Sequence, residues 1–399
     1  MLGFSALLMG TTALTPVASI DDYGGYVSLL WQPTSADVSA LAAIDYSVYG
    51  HVLTKNSVTF STSSPNAGYG SAVFNGTSSS ITIPASRSLY LDGDFDIVAD
   101  VWWDGTAALY QNIVGSGGGS FTGNAAFFRV WGTGAGSGLA GKVGIGNPTH
   151  DATSAVYSSS TLTSGTWNRV RATRTSGIIR LRINDVLVAT GGTDNSVYDF
   201  SLGGTAIGRS PWDGANGYFS GKIASVRIDK GVARTSVSAT GALLLPDAQT
   251  EIASLTATSY AGSSTQRSGG STLTINSPLP FGYADNTADS GWFWDYVAGA
   301  RKLKIDMGSA KRLARVRFWS VWSGGSRGAN LTIRGSNDNV SFTDIRTIAY
   351  STNSAEAYDY AVTASKAATT AYRYYEVEHV GVITTHMPNT STVRWWEWV

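Results

Sequence analysis

Only five glutamates occur in the chain, Glu251, Glu356, Glu376, Glu378 and Glu397, and none precedes residue 251. Cleaving a glycosidic bond needs two carboxyl groups flanking it, one protonated and one ionised. The first 250 residues hold aspartates instead, with no D-x-D-x-x-D run. Glu376 and Glu378 have the same parity on one predicted strand, so both are expected to face solvent. No cysteine is present, which removes thiol nucleophiles. His51, His150, His379 and His386 are scattered, and no G-x-S-x-G elbow accompanies them. Thr149-His150-Asp151 reads as a solvated turn, and His379 with His386 lacks the third ligand that zinc needs. No catalytic set emerges, and the chain is read as a non-enzyme.

Aromatic residues beside hydrogen-bonding groups suit a different chemistry. Sugars present apolar faces and polar edges, so a glycan site pairs an aromatic platform with polar groups. Trp212, Asp213 and Tyr218 share one loop, while Trp292, Trp294, Trp322 and Arg327 lie in Gly/Ser-rich surroundings further on. These are the expected glycan-binding residues, and packing between neighbouring chains is the equal alternative. Trp167, Trp319, Trp395 and Trp398 fall within strand patterns and read as core.

The elements that must position these groups are short strands. The 399 residues suit two domains of ordinary size, and 46 glycines mark frequent tight turns. Phe95, Ile97, Ala99 and Val101 alternate with Asp96, Val98, Asp100 and Trp102, as a strand requires. Phe127–Trp131 reads as another strand between Gly-rich turns. Ile179, Leu181 and Ile183 alternate with Arg180 and Arg182, giving one apolar and one solvated face. Asn184-Asp185 is a plausible tight turn, because both tolerate the left-handed backbone. The balanced 28 basic and 28 acidic residues argue against a nucleic-acid groove. No apolar run approaches the roughly 20 residues of a membrane span.

Residues 166–190 and 206–234, with their W-x-x-V strand, hairpin turn and closing Gly221-Lys222-Ile223-x-x-Val226-Arg227-Ile228, resemble the concanavalin A-like, laminin-G-type jelly roll. Residues 251–399 resemble the discoidin (coagulation factor type C), galactose-binding-like domain. The matching pieces are Asp306-Met307-Gly308, Gly335-Ser336-Asn337-Asp338 and Tyr372-Arg373-Tyr374-Tyr375. Met307 stands where that family usually has Leu, and Phe342 where it has Trp. The resemblances imply an all-β chain of two antiparallel β-sandwich (jelly-roll) domains in tandem with an extended N-terminal arm. The expected division is an arm at 1–48, sandwiches at 49–236 and 251–399, and a linker at 237–250. Leu243, Leu245 and Pro246 of the linker are expected to pack at the junction. Both families often hold Ca²⁺ in loops, and Asp104, Asp194, Asp213 and Asn337-Asp338 lie in suitable ones; a Gly-flanked Asp is usually just a turn former, so Ca²⁺ is the lesser reading and no metal ligand is assigned.

The first 19 residues are apolar but lack the basic n-region of an export signal, so they are expected to form an ordered, docking arm. With two sandwiches and no catalytic set, the chain is similar to virion proteins of tailed bacteriophages. That likeness implies a non-enzymatic adhesin of a tail, fibre or head. The implied partners are other virion proteins through residues 1–48, a host cell-surface glycan and further copies of the chain. An exported bacterial carbohydrate-binding protein and a purely architectural decoration protein are the alternatives.

Overall fold

The computed structural model describes residues 24–106, 109–117, 125–135, 138–147, 156–210, 217–234, 243, 249–251, 256–261, 264–266, 292–294, 301–320, 327–352, 356–363, 366, 369–380 and 389–398. Strands dominate, and every named strand pairing is antiparallel. One eight-stranded sheet runs Val186–Thr193, Ile178–Ile183, Trp167–Thr175, Phe95–Trp103, Ser220–Lys230, Ser71–Asn75, Thr59–Ser61. Val27–Trp31 adds to Ser220–Lys230 beyond the end of Ser71–Asn75. A seven-stranded sheet faces it, in the order Val156–Thr161, Lys142–Gly146, Phe127–Trp131, Tyr110–Ser116, Thr205–Ile207, Ser80–Ile83, Thr54–Asn56.

Alternation fixes which side chains meet between the sheets. Ile97, Val101, Leu181 and Ile228 from one sheet join Ile81, Val114, Phe128 and Ile145 from the other in a single buried core. Fully burying each such side chain contributes about 1.5–3 kcal/mol. The hairpin forms as its residues require: Asn184 and Asp185 have φ of 49° and 66°, the left-handed pair of a type I′ turn, and Ile183 pairs with Val186.

Two expectations change here. The arm was expected to run to residue 48, yet Val27–Trp31 is a strand of the first sandwich with Leu29 and Trp31 fully buried in its core. Residues 1–23 lie outside the described residues. After that strand, Thr34 caps the helix Ser35–Ala40, and Tyr46 donates 2.6 Å to Asp37. Burial and the Asp37 carboxylate push the Tyr46 hydroxyl up to about 12. Leu243, from the expected linker, packs with Val27, Leu30 and Val98 on the outer face of the eight-stranded sheet.

That outer face is also where the aspartates of Phe95–Trp103 point, and they are buried. Arg171 grips Asp96 through two bonds of 2.9 and 2.6 Å, and Arg169 grips Asp100 through two of 2.7 Å. Asp229 stands opposite Asp96 in register, which would set like charges side by side. Arg227 binds Asp229, and Arg234 Nε lies 3.0 Å from Asp229 and 3.4 Å from Asp96. Four guanidinium groups therefore neutralise three carboxylates within one dry layer.

The second sandwich has a four-stranded sheet (Gln249–Glu251, Asn389–Trp398, Leu313–Ser320, Glu356–Ala361). Opposite it is a five-stranded one (Thr256–Ala261, Arg301–Lys311, Tyr372–Val380, Arg327–Ser336, Thr343–Thr352). Ile305, Met307, Val316, Ile333, Tyr375, Val377, Trp395 and Trp398 are buried in it. Trp395 and Trp398 are thus core, as expected, whereas Trp167 is half-buried and the side chain of Trp319 lies outside the described residues. Glu376 and Glu378 are also buried, against the expectation of solvent exposure. Their strand is flanked on both sides, and Arg334 stands directly opposite Glu376 and pairs with both carboxylates. Charge pairing offsets the desolvation that sequence parity alone leaves unseen.

Replacing one member of the dry network leaves its partners buried and uncompensated, so Asp96→Ala should cost about 3–5 kcal/mol. Urea unfolding checks this; a loss of about 1 kcal/mol or less, the size of an exposed pair, would refute the network's role.

Candidate ligand cleft between the sandwiches

Of the seven expected glycan-binding residues, Tyr218 is the one whose side chain is among those described. Trp212, Asp213 and Trp322 lie outside the described residues, as do the side chains of Trp292, Trp294 and Arg327. Trp292 and Trp294 belong to a short strand, opposite Gln266 and Ser264, rather than to a loop. Arg327 opens the strand Arg327–Ser336, opposite Thr352. Tyr218 is half-buried and bridged to Arg209, whose guanidinium lies 5.0 Å from its ring.

The described loop aspartates are already engaged by neighbouring protein groups. Asp104 accepts from Thr106 N–H and the Ser220 hydroxyl, and Asp194 from Ser196 N–H and Tyr198 O–H. Asp338 accepts from the amides of Val340 and Ser341 at 2.8 Å each and from the Ser336 hydroxyl at 2.8 Å. Among the described residues no group of three or more His, Cys, Asp or Glu could hold a metal ion. Asp213 and His150 lie outside them, and so does the side chain of His379.

A concave site does form where the sandwiches meet. Its volume is ≈ 260 Å³, and it is lined by Tyr26, Tyr49, Asp92, Asp94, Lys230 and Gly231 on one side and by Arg346 and Tyr360 on the other. Tyr26 ends the turn before the strand Val27–Trp31. Asp92 and Asp94 belong to the turn that feeds Phe95–Trp103, and Lys230 ends Ser220–Lys230. These turns converge because their strands are neighbours in one sheet. Arg346 and Tyr360 come from two strands of the second sandwich.

The wall from the first sandwich is fixed from behind. Asp45 accepts from the amides of Leu30 and Ser47 at 2.9 Å and of His51 at 2.8 Å, which pins the turn carrying Tyr49. The His51 ring stacks on Tyr49 with planes 4° apart, and its Nε2 lies 3.0 Å from Ser88 Oγ. Asp94 accepts from Ser176 N–H at 2.8 Å. Gly231 has φ +83° and donates 2.7 Å to Asp94 O; a Cβ there would lie 3.3 Å from Arg346 Nη2. Glycine meets both the left-handed turn and the close approach.

Cations cross the junction in both directions. Lys230 Nζ lies 4.9 Å from the Tyr360 ring, and Arg346 lies 5.2 Å from that of Tyr26. Arg315 lies 4.6 Å from Tyr49 and 3.9 Å from Trp396, and donates 3.3 Å to Val48 O. Each contact contributes about 0.5–2 kcal/mol depending on desolvation. The cleft therefore offers aromatic surface, donors and acceptors on prearranged backbone, a combination suited to a polyhydroxylated ligand.

The signal that could have found this cleft is the alternation Asp92, Asp94, Asp96, which ends a turn and begins a strand. A search for paired catalytic carboxylates passes over it, because its members divide between a rim and a buried layer.

Residues 75–236 match the family model described as the Concanavalin A-like lectin/glucanases superfamily, so the first sandwich carries a domain of that type. Among curated proteins none matches the chain. Several solved structures are distantly similar. One is domain 4 of an extracellular arabinanase from Geobacillus stearothermophilus, in complex with arabinotriose, at 15% identity and TM-score 0.38, covering 52% of this chain and 94% of that one. Allantoicase from Saccharomyces cerevisiae is similar at 11% identity and TM-score 0.28, covering 81% and 78%. A family 32 carbohydrate-binding module from Clostridium perfringens, in complex with galactose, is similar at 12% and 0.24, covering 36% and 99%. Likeness this distant transfers neither ligand nor activity.

The amides and hydroxyl around Asp338 hold its carboxyl at about 2, below the usual value near 3.9. A depressed carboxyl contributes stability that is full above its unfolded value and lost as pH falls through the folded one. Carboxyl ¹³C NMR titration should place the Asp338 midpoint near 2; a midpoint near 4 would refute this account of the turn.

Proposed function

We propose that this protein binds carbohydrate without cleaving it, in the cleft between its two sandwiches. The observation that carries this reading is the convergence there of Tyr26 and Tyr49 with Asp92, Asp94 and Lys230, backed by the reciprocal cation contacts. The lectin/glucanase description of the family matched by residues 75–236 supports the ligand class. The sandwiches would act together, because each supplies one wall.

A glycan array followed by calorimetry tests this. Asp92 is exposed, so Asp92→Ala should fold normally and weaken the best glycan about tenfold, the equivalent of about 1.4 kcal/mol. An unchanged affinity would move the site elsewhere. Release of reducing sugar from a polysaccharide panel would refute the non-catalytic part.

The finer proposal is that the protein is an adhesin of a tailed-phage virion. The part of the expected arm that precedes Val27–Trp31 would dock on other virion proteins, and repeated copies would turn a weak site into avid attachment to a host surface glycan. The mutually docked sandwiches support it, since a stiff pair can hold a site away from its anchor. Mass spectrometry of purified virions should find the chain; its absence there would favour an exported bacterial surface protein.

A further inference from the structure

A second cavity, of ≈ 330 Å³, adjoins the cleft and is lined by Tyr26, Asp344, Thr363, Thr370, Tyr372 and Tyr375 among others. Tyr26 lines both cavities. Two chain segments also pass from one to the other. Asp344 and Ile345 line the second cavity and Arg346 to Ile348 the cleft; Ala361 lines the cleft and Val362 and Thr363 the second cavity. The cavities therefore lie end to end, with Tyr26 and the overlying Arg346 between them. Arg346 is held in place by its bond to Ala361 O.

We propose that the two cavities form one groove for a neutral, linear oligosaccharide, with Tyr26 as the platform between subsites. This rests on the reading that the cleft binds carbohydrate. Residues 344–348 advance on the order of 13 Å at about 3.3 Å per residue, longer than a single sugar ring. Either cavity alone sits near the bottom of the range of about 300–1,000 Å³ typical of ligand pockets, and the two together fall well inside it.

The second cavity has the same chemistry as the first. Tyr372 is half-buried and meets the edge of Tyr375 at 6.0 Å, which sets an aromatic wall. Thr370 is exposed beside it, and Asp344, paired with Arg334, supplies a carboxylate with 67% of its side chain accessible. Charge selects against acidic sugars. Lys230 lies 3.8 Å from Asp92 and also meets Tyr360, while Arg346 is committed to Tyr26 and Ala361 O. Both cations among the described lining residues are thus engaged, so a uronic acid finds no counter-charge there.

Calorimetry of the intact protein with gluco-, galacto- and xylo-oligosaccharides, from monosaccharide to hexasaccharide, tests the proposal. Affinity in the preferred series should rise at least about tenfold from monosaccharide to tetrasaccharide, about 1.4 kcal/mol. Thr370→Trp, which fills the second cavity from an exposed position, should abolish that rise and leave monosaccharide affinity unchanged. Asp344→Ala should remove part of it, and serves if the larger substitution impairs folding. Tyr26→Ala should weaken short and long ligands alike. A flat series, or a tetrasaccharide affinity untouched by both Thr370→Trp and Asp344→Ala, overturns the groove while leaving the carbohydrate reading intact. If no member of any series binds, the carbohydrate reading falls and the groove with it.

Discussion

The dry layer of arginine and aspartate on the outer face of the eight-stranded sheet is the constraint from which the rest follows. Asp96 and Asp100 project from a central strand whose other face is hydrophobic core. Buried charge is tolerated only when paired and hydrogen-bonded, so the arginines of two flanking strands and Arg234 must sit where they do. Arg171 also donates to Arg234 O, which draws the chain leaving the sandwich across this layer. Val27, Leu30 and Leu243 close an apolar cluster beside it.

The cleft between the sandwiches follows from the same strand order. Val27–Trp31 pairs with Ser220–Lys230, which carries Tyr26 to the rim beside Lys230 and Gly231. Asp92 and Asp94 reach the same rim because their turn precedes the strand that bears Asp96 and Asp100. The second sandwich then docks through cations placed over aromatic rings. Each side contributes cations to the other's rings, so neither surface is complete alone. A site built this way depends on the union of two folds rather than on either family type.

Much of the architecture was legible in the chain. Asn184-Asp185, the strand Phe95–Trp103 and the alternation from Ile179 to Ile183 depend on local backbone preference and parity, which sequence encodes directly. Glu376 and Glu378 show where parity stops: it says the two share a face, and only the neighbouring strand bearing Arg334 determines that the face is buried. The Ser/Thr/Ala-rich start without clear periodicity suggested an arm to residue 48, because strand pairing over some 200 residues of separation leaves no local mark.

By itself, then, the sequence determined the all-β class, the hairpin, many of the strands and a chemistry without paired glutamates in the first sandwich, since each follows from residue type and short-range spacing. Only the tertiary structure decided that Asp92 and Asp94 face a cleft while Asp96 and Asp100 enter a dry ionic layer. It likewise decided that Tyr26 meets Arg346 and that Tyr49 meets Arg315. The physical reason is that ion pairing and cation–aromatic contact act between whichever groups folding brings within a few ångströms, and that proximity is a property of sheet register and domain docking.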